Sequence, residues 1–266
     1  RKMCRPKFED IHPFSSTNGY TATNEDIQLH QALLRGRNFK RAASIASGGE
    51  VPFLVLLPRC REVVAADHSY TALAACMLKA IILERVGPRE LLSMLWSNRE
   101  VEFNTILDAA KMELPEVLKP ISMGGRSFLY TNLSLIFRQM RLTWFHITPA
   151  VLEKTMARMD SLTLIHGDIT DLVSRGQFNV LYASNVHEHS NRNKKMPSID
   201  SFAPLVKVDG LLLATGNLGS SNYPMKLERW KLLQQISSPL ATTVHNHGLL
   251  QRIKPATKQV VKEQTA

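Results

Sequence analysis

Short buried segments alternate with helical ones along the first part of the chain. AASIAS (42–47) and EVVAAD (62–67) predict two buried strands, and VPFLVLLP (51–58) predicts a helix between them. The long apolar stretch 69–86 predicts a second helix, which a Gly-Pro pair ends. This order is typical of a strand–helix–strand unit with parallel strands.

The N-terminal part of the chain has a different pattern. Residues 1–23 contain prolines and turn-forming residues and predict an irregular segment. A helix is expected to follow, with Asn24 as its N-cap and with Glu25 and Asp26 at its positive end.

The alternation breaks off over residues 88–147, where several helical patterns and no convincing strand predict an inserted helical cap. A helix with Thr148 as its N-cap then leads back to the strand pattern. Three further strands are predicted, over 162–168, 178–185 and 210–217.

The C-terminal part predicts an amphipathic helix over 224–236 and a β-hairpin over 242–253 with an Asn-His-Gly turn. Together the patterns predict one Rossmann-like α/β domain over 24–266. Its sheet is expected to be mostly parallel, with helices on both faces and a C-terminal hairpin.

Composition narrows the class of protein. The 266 residues are 44% hydrophobic and 21% charged, which suits a globular chain with a full core. The longest apolar runs are too short to span a bilayer, and no secretory signal is recognisable, so a cytoplasmic location is expected. Three cysteines without paired spacing argue against a disulfide framework and a zinc site, and no metal is expected.

Ligands in such sheets bind beyond the carboxyl ends of the strands. The SGG turn Ser47–Gly49 lies after the first predicted strand, and Asp67 lies 19 residues after Gly48. A carboxylate there can accept the hydroxyls of a ribose, as both dinucleotides and S-adenosylmethionine (SAM) require. The turn lacks the third glycine of a pyrophosphate site, which favours SAM. Glu50 would repel a pyrophosphate and tolerate a cationic cofactor.

The other strand ends add candidates. Asp168 could bind the adenine amino group, or else cap the next helix. The residues expected to bind the cofactor from the strand ends are Ser47, Gly48, Gly49, Asp67, His68, Gly167, Asp168, Ile169, Ser184 and Asn185.

Several segments resemble known proteins. The strand–SGG–helix–strand–Asp order resembles class I SAM-dependent methyltransferases. NED (24–26), ASIASGGEVPFLVLL, GGRSFLYTN and FNVLYASNVHEH are similar to the bacterial betaine lipid synthase subunit family, which transfers a 3-amino-3-carboxypropyl group. The chain has NED where that family has Trp-Glu-Asp, and SNVHEH where it has a segment like SDHMD.

The resemblance implies a displacement at a carbon bonded to the sulfonium of SAM. Glu25 or Asp26 could then hold the amino-acid tail of SAM. The expected catalytic residues are His187, Glu188 and Tyr130, and the expected substrate-binding residues are Arg126, Ser127 and His189. The histidines after the fourth predicted strand are credible bases for the acceptor.

Two other functions stay open: a SAM-dependent methyltransferase of small molecules, and a non-catalytic module that binds SAM or nucleic acid. The net charge of +10 attracts anionic partners, but the basic clusters have few aromatic residues. The partner expected from the resemblance is a small-molecule or lipid-like acceptor, and nucleic acid is a weaker expectation. A peripheral contact with an anionic membrane is a further expectation.

Overall fold

The computed structural model describes residues 5–11, 26–119, 133–184, 199–216, 229–237 and 246–253. Eight strands in these ranges form one sheet in the order β1-β4-β3-β2-β5-β6-β8-β7. The strands are β1 Lys7–Asp10, β2 Phe39–Ile45, β3 Cys60–Asp67, β4 Leu162–His166, β5 Phe178–Ser184, β6 Val206–Gly216, β7 Trp230–Ser237 and β8 Asn246–Arg252.

The strands β1 to β6 are parallel to one another, and β8 is antiparallel to both β6 and β7. The five strands expected from the βα alternation are confirmed as β2 to β6. From β2 the chain continues on one side to β3 and later returns on the other side to β5. The strand order therefore reverses between β2 and β5, which is where α/β sheets place their ligands.

Six α-helices lie within the described ranges: α1 Ile27–Leu33, α2 Tyr70–Val86, α3 Pro88–Trp96, α4 Glu100–Lys111, α5 Ile136–Thr143 and α6 Pro149–Met156. The long apolar helix is confirmed as α2, which ends where Gly87 adopts a φ of 80°. The helix that begins at Pro149 after Thr148 is also confirmed. The prediction of Asn24 as N-cap is wrong, because α1 begins at Ile27 and the Asp26 carboxylate accepts from the Leu29 amide.

The two faces of the sheet are covered differently. Alternate residues of the strands, such as Ala42 and Val63, join the larger core with α2 and the helices that follow it. The opposite face, with Ala43 and Val64, packs with two 3₁₀ segments, Ile169–Arg175 and Ile199–Leu205, and with Trp230. Helical structure is thus present on both faces, but in the described part of the chain the helical segments on the second face are short 3₁₀ segments.

The predicted helical insertion is helical in its described parts, 88–119 and 133–147, where α3, α4 and α5 lie. Leu92, Phe103 and Phe137 belong to the same core as α2, so these helices extend the core of the first face. Among the described residues, no helix is both long enough and apolar enough to cross a membrane.

Both predictions for the C-terminal part need correction. Residues 230–237 form β7 and not part of an amphipathic helix, because this segment pairs with β8 along its length. Asn246, His247 and Gly248 lie inside β8 and not in a turn, since each pairs with a residue of β6. The antiparallel C-terminal pair is real, but its strands are β7 and β8.

The prediction of an irregular segment at the N-terminus is wrong for Lys7–Asp10. These four residues pair with Thr163 to His166 and add the parallel edge strand β1. Their sequence, KFED, has no strong strand pattern of its own. The pairing partner, which is distant in sequence, decides the structure here.

Candidate functional site

The turn after β2 lies at the carboxyl edge of the sheet and has a left-handed backbone. Ser47, Gly48 and Gly49 have φ values of 40°, 80° and 104°. At Gly49 a Cβ atom would lie 2.9 Å from the ring of Phe53 and 3.2 Å from Cys76 Sγ. Glycine is therefore favoured at positions 48 and 49 by the backbone conformation, and at position 49 also by the close packing beneath the turn.

Asp67, the last residue of β3, connects this turn to the neighbouring strand ends. Its Oδ2 accepts from the Ser47 amide at 3.2 Å, and its Oδ1 accepts from the Ser69 amide at 3.0 Å. The Asp67 backbone oxygen accepts from the Gly167 amide, also at 3.0 Å. The structure thus brings together the ends of β2, β3 and β4 around one residue, Asp67, as the positions in the sequence predict.

The Asp67 side chain is 9% exposed. Burial raises the pKa of this carboxyl above its ordinary value, while His68 and the two amide hydrogen bonds act in the opposite direction. The carboxylate keeps further acceptor positions, since two oxygens offer about four lone-pair sites and two amides occupy only part of them.

The neighbouring candidates lie along the same edge. His68 has a side chain that is 66% exposed, with Nδ1 3.9 Å from Asp67 Oδ1. Asp168 is the N-cap of the next 3₁₀ segment: its Oδ1 accepts from the Thr170 amide, and Asp171 Oδ2 accepts from the Asp168 amide. This capping box is the alternative role that the sequence allowed for Asp168. Ile169 is buried against the second face of the sheet.

Glu50 does not face a ligand. Its side chain is fully buried, as is that of Lys79 in α2, and the Lys79 ammonium donates to Glu50 Oε1. Lys79 Nζ also donates to the Gly48 carbonyl oxygen at 2.9 Å. The interpretation of Glu50 as a charge that selects among cofactors is therefore wrong, because the protein itself offsets that charge.

One cluster at this edge was missed by the sequence interpretation. Asp10, His166 and Asp67 are in register on β1, β4 and β3. Asp10 Oδ2 accepts from the Tyr70 hydroxyl at 2.8 Å, and the rings of Tyr70 and His166 stack with centroids 3.9 Å apart. Burial and the Asp10 carboxylate raise the pKa of Tyr70 to about 12. The sequence did contain one indication of this cluster, since His166 directly precedes Gly167 at the end of a predicted strand.

Two further predicted residues lie within the described ranges. Asp26 caps α1, and Ser184 ends β5, the parallel neighbour of β2. Within the described ranges, no three His, Cys, Asp or Glu side chains form a group that could hold a metal ion. Eight predicted site residues lie outside the described ranges: Glu25, Arg126, Ser127, Tyr130, Asn185, His187, Glu188 and His189.

The parallel strands on both sides of the switch point, with the antiparallel pair at the end, form a Rossmann-like α/β methyltransferase fold. No family model matches the sequence, and no curated protein sequence matches it.

Several solved structures are similar to this chain at low sequence identity, among them the following two. The N-methyltransferase NodS from Bradyrhizobium japonicum WM9, in complex with S-adenosyl-L-homocysteine, is 10% identical with a TM-score of 0.45, and the match covers 87% of this chain and 90% of NodS. The rRNA methyltransferase aviRa from Streptomyces viridochromogenes is 15% identical with a TM-score of 0.43, covering 89% of this chain and 88% of that one.

Proposed function

We propose that this protein is a SAM-dependent transferase that moves the 3-amino-3-carboxypropyl group of SAM to an acceptor nucleophile and releases methylthioadenosine. The observation that supports SAM binding is the hydrogen bond from the Ser47 amide to the Asp67 carboxylate. This bond holds the glycine turn and Asp67 at one edge of the sheet. A nucleoside bound there would lie against the backbone of the turn, and its ribose hydroxyls could donate to the Asp67 carboxylate.

The use of the turn amides supports SAM over a dinucleotide. Ser47 N–H donates to Asp67, and Gly49 N–H donates to the Ala46 carbonyl at 2.7 Å. Two of the three amides of the turn are therefore engaged within the protein. A pyrophosphate site needs such N–H groups directed at its phosphates, whereas SAM has no phosphate and needs only close approach.

In the proposed reaction, the acceptor attacks the γ-carbon of the methionine tail, and the bond between that carbon and the sulfonium breaks. The bonding electron pair stays on sulfur, which leaves neutral methylthioadenosine. The acceptor proton passes to a base, for which His187 is the first candidate. Positioning dominates the rate of such a displacement, so residues that hold the tail matter as much as the base.

The choice of the transferred group rests on the resemblance of the NED, SGG and SNVHEH segments to the betaine lipid synthase subunit family. On that basis Arg126, Ser127, Tyr130 and His189 are proposed around the tail and the acceptor. A lipid-like hydroxyl or a small metabolite is the proposed acceptor. Methyl transfer uses the same cofactor site and differs only in which carbon of SAM faces the acceptor.

Product analysis tests the proposal. The full chain would be incubated with SAM and with acceptor panels of diacylglycerol vesicles and small hydroxyl and amine compounds. Methylthioadenosine, with transfer of label from the SAM carboxyl carbon, is the expected result. S-adenosylhomocysteine as the sole product would overturn aminocarboxypropyl transfer in favour of methyl transfer. Calorimetric binding of SAM without turnover would support a non-catalytic module, and no binding would overturn the use of SAM.

A further inference from the structure

A buried ion pair lies directly beneath the glycine turn. Lys79 is in the middle of α2 and Glu50 follows the turn, and both side chains have no exposed surface. Cys76, one helical turn before Lys79, contacts the turn as well, with Sγ 3.8 Å from the Ala46 oxygen. Since residues three apart share a helix face, Cys76 and Lys79 form the surface of α2 on which the turn rests.

Stability alone gives a weak reason for such a pair. Taking two charges out of water is costly, and apolar side chains of similar volume often replace a buried pair without loss of stability. The rest of α2 around Lys79 is apolar and buried. An apolar residue would therefore suit this position, unless the ammonium is needed for a particular contact.

The contact that sets Lys79 apart is its hydrogen bond to the Gly48 carbonyl. Gly48 has a φ of 80°, so its peptide group is held in an orientation that most residues avoid. A cationic donor on the inner side fixes that carbonyl inward, and the carboxylate of Glu50 in turn holds the ammonium in place.

We propose that the Glu50–Lys79 pair is a positioning device that fixes the Gly48 peptide and so sets the affinity of the turn for the amino-acid tail of SAM. Lys79 is a positioning residue, since it acts through the backbone of Gly48. The inference rests on the proposed function, because it assumes that this turn receives the tail of SAM.

The decisive variant removes both charges together. Glu50→Leu/Lys79→Met replaces both members of the buried pair with apolar side chains of similar size, and we expect its urea unfolding midpoint to equal or exceed that of the wild-type protein. Its Kd for SAM should rise about tenfold or more, which corresponds to loss of one charge-assisted hydrogen bond. Its Kd for methylthioadenosine, which lacks the amino-acid tail, should stay within about twofold of the wild-type value.

Two single variants keep the test informative if the double variant does not fold. Lys79→Met should weaken SAM binding more than Glu50→Gln does, because only the second variant retains the Lys79 donor for Gly48. Glu84→Gln is the matched control on the same helix: its carboxylate pairs with Arg5 and not with the turn. This control should bind SAM as the wild-type protein does.

The measurements distinguish failure of the positioning role from failure of the proposed function. A folded double variant with wild-type affinity for SAM would overturn the positioning role alone. Equal losses for SAM and methylthioadenosine would overturn it too, because they would indicate a general disturbance of the site. A wild-type protein that binds no SAM would overturn both the inference and the proposed function.

Discussion

His166 Nδ1 lies 2.8 Å from Asp10 Oδ1, which connects the buried end of β4 to the edge strand β1. The same Asp10 carboxylate accepts from the Tyr70 hydroxyl through its other oxygen. One acidic residue of the N-terminal segment therefore holds an edge strand, a strand end and the first turn of α2 together. Asp67 lies in register with His166 on the other side of β4.

Asp10→Ala should destabilise the protein by about 1–3 kcal/mol, because it removes the acceptor for two hydrogen bonds, one of them to the buried His166. Urea unfolding measures this loss, and faster amide exchange in Lys7–Asp10 should accompany it. Tyr70→Phe is the control, since it removes one of the two bonds and should cost about 0.5–1.5 kcal/mol. Equal losses for the two variants would show that the contact with His166 contributes nothing.

Gly49→Ala should destabilise the fold by about 2–4 kcal/mol. Its new methyl group would meet Phe53 and Cys76 inside normal contact distance at a φ of 104°. Gly36→Ala is the matched control, because Gly36 has a φ of 74° but open space around a Cβ. That control should lower the free energy of unfolding by about 1–2 kcal/mol, which is the cost of the left-handed backbone alone. Comparable thermal unfolding of the two variants would mean that packing beneath the glycine turn is loose.

Asp67→Ala should weaken SAM binding by about 2–3 kcal/mol, since it removes the acceptor for the ribose hydroxyls and releases the Ser47 amide. Isothermal titration calorimetry measures the affinity directly. Asp160→Asn serves as the control for the change in charge, because Asp160 is exposed and precedes β4 at the opposite edge of the sheet. If Asp67→Ala bound SAM with unchanged affinity, Asp67 would have no place in the site.

Asp67 should also make stability depend on pH. Burial raises its pKa in the folded protein above the ordinary value of 3.8, so the folded state holds the proton more tightly than the unfolded state. The resulting stabilisation is complete below that ordinary value and is lost as the pH rises through the raised pKa. Unfolding free energies measured from pH 3.5 upward should therefore contain a falling component that Asp67→Asn lacks. An identical slope in the variant would contradict this assignment.

The local pattern of the sequence was sufficient for most of the parallel sheet. Buried strands such as 62–67 and the apolar helix 69–86 are continuous signals that need no distant partner to be recognised. The glycine turn and Asp67 were predictable for a related reason, because both follow directly from the ends of such strands. Lys79 shows the limit of this approach, since a lysine in an apolar helix does not reveal which carbonyl it contacts.

Tertiary pairing decided the segments whose local signals were weak or ambiguous. Residues 230–237 have a helical alternation of polar and apolar side chains, yet the open edge of β8 provides hydrogen bonds that make them a strand. KFED became β1 because β4 offered an edge in register. The sequence by itself determined the buried strands and the glycine turn after β2, because runs of apolar residues identify buried segments without any distant partner. The edges of the sheet and the charges beneath the turn depended on partners far away in sequence, and only the tertiary structure brings those together.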